Sequence, residues 1–319
     1  MNKLLYIVGP TATGKTSLAI SISKIIDSQI LSADSRQVYK FMDIGTGKDI
    51  PKGFFKHQES INNNEYIVYK NSTTSIWGYD VVNPDQEFSI SHFYHHSKNI
   101  LSKITHDNHL PIVVGGTGLY LKSIETPPTS ISIPQDKKLR HKLSKHSLIE
   151  LQNELKKINI DKFKSFNHSD ANNPRRLIRA IEISNHSQNA LYKKSSPPKY
   201  DSLWVGLRSK LETIDNKIEA RVHQRIHNGF EKEFESLYAK KLIKNHFQSS
   251  SSTGYKQWIE YKNNQISKKE AIDKWIRAEK QYARRQITWF NKQKNIKWFD
   301  IDSNNYPKSV VETVKVWYS

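Results

Sequence analysis

The strongest constraint on this chain lies near its start, where the hydrophobic run Leu4-Leu5-Tyr6-Ile7-Val8 breaks into Gly9-Pro10-Thr11-Ala12-Thr13-Gly14-Lys15-Thr16 and then into Ser17-Leu18-Ala19-Ile20. A buried strand, a glycine-rich turn and a helix in that order make a phosphate-binding loop. Backbone N–H groups of such a turn wrap a di- or triphosphate, and the helix aims the positive end of its dipole at the same anion. Gly9 and Gly14 permit the backbone curl, Lys15 brings a mobile cation, and the Thr16 hydroxyl is placed to ligate Mg²⁺.

Two further strands place chemistry beside this loop. Gln29–Ala33 reads as a buried strand ending in Asp34-Ser35-Arg36-Gln37, and Leu110–Val114 as another ending in Gly115-Gly116-Thr117. Ligands of open α/β sheets sit beyond the carboxyl ends of the strands, so a phosphate cradle, a carboxylate and a hydroxyl converge there. The apolar strand expected of a nucleotide-hydrolysing enzyme or small-molecule kinase would end in a Mg²⁺-orienting Asp. Here the third strand ends Val114-Gly115-Gly116, which argues against that alternative.

The α/β character fades after Thr126-Pro127-Pro128. Leu139, Leu143, Leu148, Leu151 and Leu155 recur at helical spacings in a polar, lysine-rich stretch that runs to about His186, and Lys193–Pro198 reads as a linker. Leu203–Leu207 returns to a strand. The order predicts an α/β fold of the P-loop NTPase type, its mostly parallel sheet core interrupted by a helical insertion domain and followed by a helical C-terminal region. The divisions fall at residues 1–126, 127–200 and 201–319. Ile214, Ile218, Val222, Ile226, Phe230 and Phe234 mark one long helix or a pair, Gln248–Thr253 a mobile serine-rich loop, Ile296–Phe299 a final strand, and a last helix starts at Ser309.

The residues resemble one family closely, the tRNA dimethylallyltransferases, or tRNA isopentenyl-diphosphate transferases. The resemblance runs through GPTATGKT at Gly9–Thr16, SADSRQVY at Ser32–Tyr39, MDIGT at Met42–Thr46, VGGTGLY at Val114–Tyr120, NPRRLIRAI at Asn173–Ile181, Gly254-Tyr255 and QYARRQITW at Gln281–Trp289, in the family's order. The chain departs from the pattern at Trp77-Gly78-Tyr79, at the stretch from Lys48 to Ser75, at Lys280 and near Asn185-His186. The resemblance implies transfer of a dimethylallyl group from its diphosphate to N6 of adenosine 37 in a tRNA anticodon loop. It implies Asp34 as the base, Thr117 beside it, and the loop residues Gly9, Thr11, Ala12, Thr13, Gly14, Lys15 and Thr16 on the diphosphate with Mg²⁺. Beside Asp34, the polar Ser35, Arg36 and Gln37 are placed to read the extruded base, and Tyr255, Trp289 and Phe290 offer rings for stacking, although aromatic residues on helices more often pack into the core. For tRNA the resemblance adds contacts from Arg140, Arg175, Arg176, Arg179, Gly254, Lys256, Arg284, Arg285, Gln286 and Thr288. A cousin reaction on free adenine nucleotides is the nearer alternative, and a basic RNA-binding protein with a vestigial loop the non-enzymatic one.

Composition agrees with a polyanionic partner: 50 Lys+Arg against 31 Asp+Glu give a formal charge of +19. On the last long helix Lys274, Arg277, Gln281, Arg284, Arg285 and Thr288 fall on one side, opposite Ile272, Ile276, Ala283, Ile287 and Phe290. The absence of cysteine excludes disulfides and Cys-type zinc sites. A core strand beginning at residue 3 and the lack of a long apolar stretch predict a cytoplasmic protein, and the high charge favours a monomer. His92, His95 and His96 lack a partner at metal-site spacing and read as a packed segment.

Overall fold

The computed structural model describes residues 2–48, 50–187 and 199–319; the linker expected at 193–198 lies outside them. The chain divides into two compact units, one of Met1–Thr126 with Pro198–Ser319 and one of Pro127–Pro197.

The first unit is built on β1 (Asn2–Val8), α1 (Lys15–Ser23), β2 (Ser28–Ser32), β3 (Phe55–Ile61), β4 (Asn64–Lys70), β5 (Ser75–Trp77), α2 (Ile90–His106), β6 (Leu110–Gly115) and α3 (Gly118–Glu125). The strands form one sheet in the order β3-β4-β5-β2-β6-β1, continued beyond β1 by β7 (Tyr200–Arg208) and β8 (Ile296–Asp300). From β5 to β8 every neighbour is parallel, while β3 and β4 add an antiparallel hairpin at the edge. β1 and β6 are apolar and covered on both faces, which is how strands at the centre of a parallel sheet read. Tyr6 of β1 stacks on Trp204 of β7 at 3.9 Å between ring centroids.

The stretch from Lys48 to Ser75 is where the hairpin is made. Asn62 and Asn63 both take left-handed φ, 52° and 63°, the geometry of a tight two-residue hairpin turn. Its inner strand is tied down by the buried Asp80 carboxylate, which accepts from Lys48, from Lys56 at 2.6 Å and from the Tyr69 hydroxyl at 2.6 Å. Lys48 also reaches Asp43 at 2.7 Å. Removing two charges from water is tolerable only with this density of direct partners.

The helical unit comprises α4 (Lys137–Leu143), α5 (Leu148–Ile158), α6 (Ile160–Lys164), α7 (His168–Ala171) and α8 (Pro174–Ser187), packed on Leu143, Leu151, Leu155, Leu177 and Ile181. Among its described residues the one fully buried charge is Glu182. Arg140 holds Glu182 with two bonds of 3.0 and 2.9 Å, Arg179 with a third, and the Asp136 N–H with a fourth at 2.6 Å.

The first unit closes with α9 (Leu211–His227), α10 (Phe230–Ala239), α11 (Tyr255–Lys262), α12 (Lys268–Phe290) and α13 (Lys308–Tyr318). The periodic stretch from Ile214 is therefore a helix pair, broken where Gly229 takes φ 101°. The serine-rich segment is a packed knot rather than a loose loop. Ser249, Ser250 and Ser252 are buried, Ser249 donates to Pro84 O at 2.6 Å, and Gln248 clasps the Phe88 backbone through both ends of its amide at 3.1 Å. Small hydroxyls that bond the backbone suit a buried turn as well as a flexible one, so composition alone misled here.

Candidate active site

The carboxyl ends of β1, β2 and β6 open into a cleft of about 1090 Å³, counted to its open mouth. Its floor is the turn from Gly9 to Lys15. Gly9 has φ 140° and no room for a side chain, since a Cβ there would come within 2.5 Å of Leu207 O. Gly14 begins α1 with φ 78° and lies clear of other atoms. Leu18 donates the first helical bond, to Gly14 O at 3.0 Å. The N–H groups of Lys15, Thr16 and Ser17 are thus left at the helix end, where an anion binds best. Thr13 braces the turn by donating to Pro10 O at 2.8 Å, and Lys15 rests on the same carbonyl at 2.7 Å. Burial pushes the Lys15 ammonium down to about 8, with Asp34 opposing that fall and Arg221 adding to it.

Asp34 stands two residues past the end of β2 and lines the cleft. It accepts the Arg36 N–H at 2.8 Å. Burial raises the carboxyl above its ordinary value; that N–H, Lys15 and Arg36 offset the rise in part, and Glu279 adds to it. Thr117, at the start of α3, accepts the Ser35 N–H at 3.1 Å, and the Tyr282 hydroxyl bonds it from α12. The three strand ends therefore bring the loop, Asp34, Ser35, Arg36 and Thr117 together.

Loop residues Gly45, Thr46 and Gly47 form the opposite wall. They are fixed by Glu233 of α10, whose carboxylate accepts the N–H groups of Asp43, Ile44 and Gly45 at 2.8, 2.7 and 3.0 Å and the Tyr255 hydroxyl at 2.5 Å. Tyr255 is thereby a buried anchor and not a stacking platform. Phe290 is fully buried too. Trp289 is half-buried and leaves no room for a Cβ at Gly118. Gly254 caps α11 against Trp275, and Lys256 is exposed.

Other expected contacts are spoken for. Gln286 is buried; it accepts the Thr11 N–H at 2.9 Å and donates to Gly116 O at 3.1 Å, so it braces the phosphate loop instead of facing a base. Gln37 accepts from Ser32 at 2.9 Å and donates to Gly47 O at 2.9 Å, which leaves its amide engaged at both ends. Arg284 makes a two-pronged pair with Asp215, Lys274 bonds Glu260, and Thr288 donates to its own helix at Arg284 O. Arg277 and Arg285 stay exposed. In the helical unit Arg140 and Arg179 hold Glu182, Arg176 pairs with Asp170, and Arg175 is exposed. His92 caps α2, and His96 stacks on Tyr66 with burial holding its ring down to about 4.

Sequence reasoning missed most of one face of α12. Trp275, Glu279 and Tyr282 recur with the expected Gln286 at helical spacing and look into the core or the cleft, between the apolar and basic stripes. The signal was present, because Glu279 and Gln286 lie seven residues apart, two turns along one face. Arg221 and Arg225 of α9 line the cleft as well, and nothing in their local pattern sets them apart from a solvated face.

The donor set suits Mg²⁺. The Thr16 hydroxyl lines the cleft with no hydrogen bond among the described residues. Those residues also contain no group of three or more His, Cys, Asp or Glu able to cage a metal. A cation that keeps most of its waters and leans on substrate phosphates needs no such cage.

The model of the IPP transferase family matches residues 37–293, and that of the isopentenyl transferase family residues 2–62. The tRNA dimethylallyltransferase of Caldanaerobacter subterraneus is 34% identical over 94% of this chain and 92% of its own length. That of Acetivibrio thermocellus is 32% identical over 99% and 97%. Among solved structures, the tRNA isopentenylpyrophosphate transferase of Bacillus halodurans superposes with a TM-score of 0.69 at 28% identity, covering 99% of this chain and 97% of that one.

Proposed function

On the premise that the chain belongs to the tRNA dimethylallyltransferase family, we propose that its cleft holds dimethylallyl diphosphate on the loop from Gly9 to Thr16 and meets N6 of adenosine 37 at Asp34. The protein transfers a dimethylallyl group to tRNA. The observation that carries the site assignment is the convergence of the phosphate loop and Asp34 in one cleft, with Thr117 bonded to Ser35 beside it.

The chemistry follows from the groups. An adenine amino nitrogen is a weak nucleophile because its lone pair is delocalised into the ring. A base must therefore take its proton as the new C–N bond forms. Asp34, held above the ordinary carboxylate value mainly by burial, takes that proton. The allylic C–O bond breaks with its electron pair going to the diphosphate. Lys15 and the N–H groups at the start of α1 oppose the charge that develops there, each preorganised donor being worth about 3–4 kcal/mol of barrier. Thr16 would hold Mg²⁺ through its hydroxyl, and the ion would supply positive charge toward the leaving diphosphate. Thr117, fixed by Ser35 and Tyr282, presents its hydroxyl beside the reacting nitrogen.

Of the expected contacts, exposed Arg175, Lys256, Arg277 and Arg285 remain available to meet tRNA phosphate. Their number supports salt-dependent binding. No described helix is long and apolar enough to cross a membrane; a cytoplasmic monomer is the form in which we place the enzyme.

The test is to supply labelled dimethylallyl diphosphate with unmodified tRNA or with AMP, in the absence of ATP. Label on tRNA alone is expected. Label on AMP would move the protein to the free-nucleotide reaction, and a strict need for ATP would overturn the assignment of the loop.

A further inference from the structure

The wall of the cleft at Gly45, Thr46 and Gly47 is secured from one side by Glu233, which accepts the N–H groups of Asp43, Ile44 and Gly45. Its other end leaves through Gly47, at φ 63°, into Lys48. There the anchor is a buried ion pair. The Lys48 side chain is fully buried, and its three ammonium protons go to Asp80 Oδ1 at 2.5 Å, Tyr39 O at 2.6 Å and Asp43 Oδ1 at 2.7 Å. Tyr39 belongs to the segment that starts at Asp34, and Asp43 starts the wall. One ammonium therefore ties the two together.

Asp80 gathers the other half of the connection. It is buried and takes φ 55°, a left-handed conformation that a residue with a side chain adopts only at a cost. The next residue, Val81, donates to Val38 O at 2.7 Å, along the same segment as Asp34. The Asp80 carboxylate meanwhile faces Lys48 through Oδ1, and through Oδ2 accepts from Lys56 of β3 and the Tyr69 hydroxyl of β4, each at 2.6 Å. The Tyr69 ring also meets Tyr79 edge-on at 6.0 Å between centroids, and Tyr79 itself lines the cleft. Hairpin and cleft wall are thus joined through one carboxylate.

A buried ion pair is weak evidence for stability, since well-packed apolar side chains of similar volume often serve as well or better. What an apolar pair cannot supply is direction: three short contacts fanned from one nitrogen to the Asp34 segment, the wall and Asp80. We propose that Asp80 and Lys48 are positioning residues of this site, a strut through which the hairpin of β3 and β4 sets the spacing between the wall at Gly45, Thr46 and Gly47 and the Asp34 segment, and with it the fit of dimethylallyl diphosphate. The proposal rests on the reading of the cleft as the site of that diphosphate.

The experiment compares K48M, D80N and the double variant K48M/D80N, reading the urea midpoint, kcat/KM for dimethylallyl diphosphate well below the melting temperature, and tRNA affinity. Each single change strands a buried charge and should lower the midpoint; the double variant, with neither charge of the pair left, should recover most of it. The transfer should not recover with it. In the double variant kcat/KM is expected to stay about 10- to 100-fold below wild type, as a misplacement of about 1 Å can produce, with tRNA affinity within about twofold. A double variant that regains both midpoint and kcat/KM overturns the proposal, because the pair would then only hold the fold. Loss of tRNA affinity in step with kcat/KM overturns it too. If the double variant does not fold, Y69F carries the test: it spares the ion pair, removes one hairpin contact to Asp80 and should lower kcat/KM by about threefold, whereas an unchanged value sinks the strut. K15A separates the two readings. If K15A binds dimethylallyl diphosphate as the wild type does, the cleft is not the diphosphate site; if K15A loses that affinity while K48M/D80N keeps wild-type kcat/KM, only the role of Asp80 and Lys48 falls.

Discussion

Asp34, half-buried in the cleft, and Glu182, fully buried in the helical unit, both have two cations for neighbours. They are nevertheless pushed to opposite sides of the ordinary carboxylate value. Burial acts to raise both. In Glu182 the direct bonds from Arg140, Arg179 and the Asp136 N–H outweigh burial and hold it low. In Asp34 burial prevails, because the nearby cations spend their donors elsewhere. Lys15 rests on Pro10 O at 2.7 Å, and Arg36 gives Nη1 to Gln248 O at 3.1 Å. Contact makes an ion pair structural, and withheld contact leaves a carboxylate reactive.

The sharpest way to break this contrast is Asp34→Asn. Prenyl transfer in a single turnover should fall by about 10²–10⁴-fold, the usual worth of a general base, with tRNA affinity nearly intact. Near-normal turnover would place the proton elsewhere.

The matching insult to the helical unit is Arg140→Met with Arg179→Met. This leaves Glu182 buried without its counterions and should cost about 3–5 kcal/mol, read as a lower urea midpoint. Because Glu182 is depressed in the folded state, the stability it contributes is present above its unfolded value of 4.5 and is lost as pH falls through the folded value. The double variant should flatten that acid loss. A urea midpoint equal to wild type would show that the pairs are ornamental.

Lys15→Ala sharpens the other half. A cation reserved for diphosphate should, when removed, lower kcat/KM for dimethylallyl diphosphate by about 10²–10³-fold with no new need for ATP. In the wild type that parameter should decline as pH rises through about 8, since Lys15 must be protonated to meet an anion. A profile flat to about pH 10 or beyond would remove Lys15 from the binding step.

The smallest effect is expected on the outer face of α12. Replacing Arg277, Arg284 and Arg285 with Gln should flatten the salt dependence of tRNA affinity, the slope of log affinity against log salt shrinking by about 0.7–0.9 for each arginine that had neutralised a phosphate. Because Arg284 is already held by Asp215, Arg277 and Arg285 should account for the whole change. An unchanged slope would send the RNA surface to Arg175 and its neighbours.

What could be read before the structure was local. The strand–loop–helix start, the ends of β2 and β6, and the roles available to Lys15, Asp34 and Thr117 follow from residue type and order alone. Gln286, Tyr255 and Arg140 could not be read in the same way. Each is polar or aromatic in a pattern that suits a surface, and each is consumed by a partner far away in sequence: Thr11, Glu233 and Glu182. The hairpin from Phe55 to Lys70 stayed unread because its outer strand is mostly exposed and polar and neither strand shows a clear alternation of apolar and polar residues.

The bond between Thr11 and Gln286 joins residues 275 apart in the chain. During synthesis the phosphate loop leaves the ribosome first, and its brace follows roughly 15–55 s later at ordinary elongation rates of about 5–20 residues per second. For the first two-thirds or so of that interval β1 has no β7 beside it, and throughout it the loop lacks the brace from Gln286. The nascent chain therefore carries a complete phosphate-loop motif whose brace is missing until the last long helix is in place.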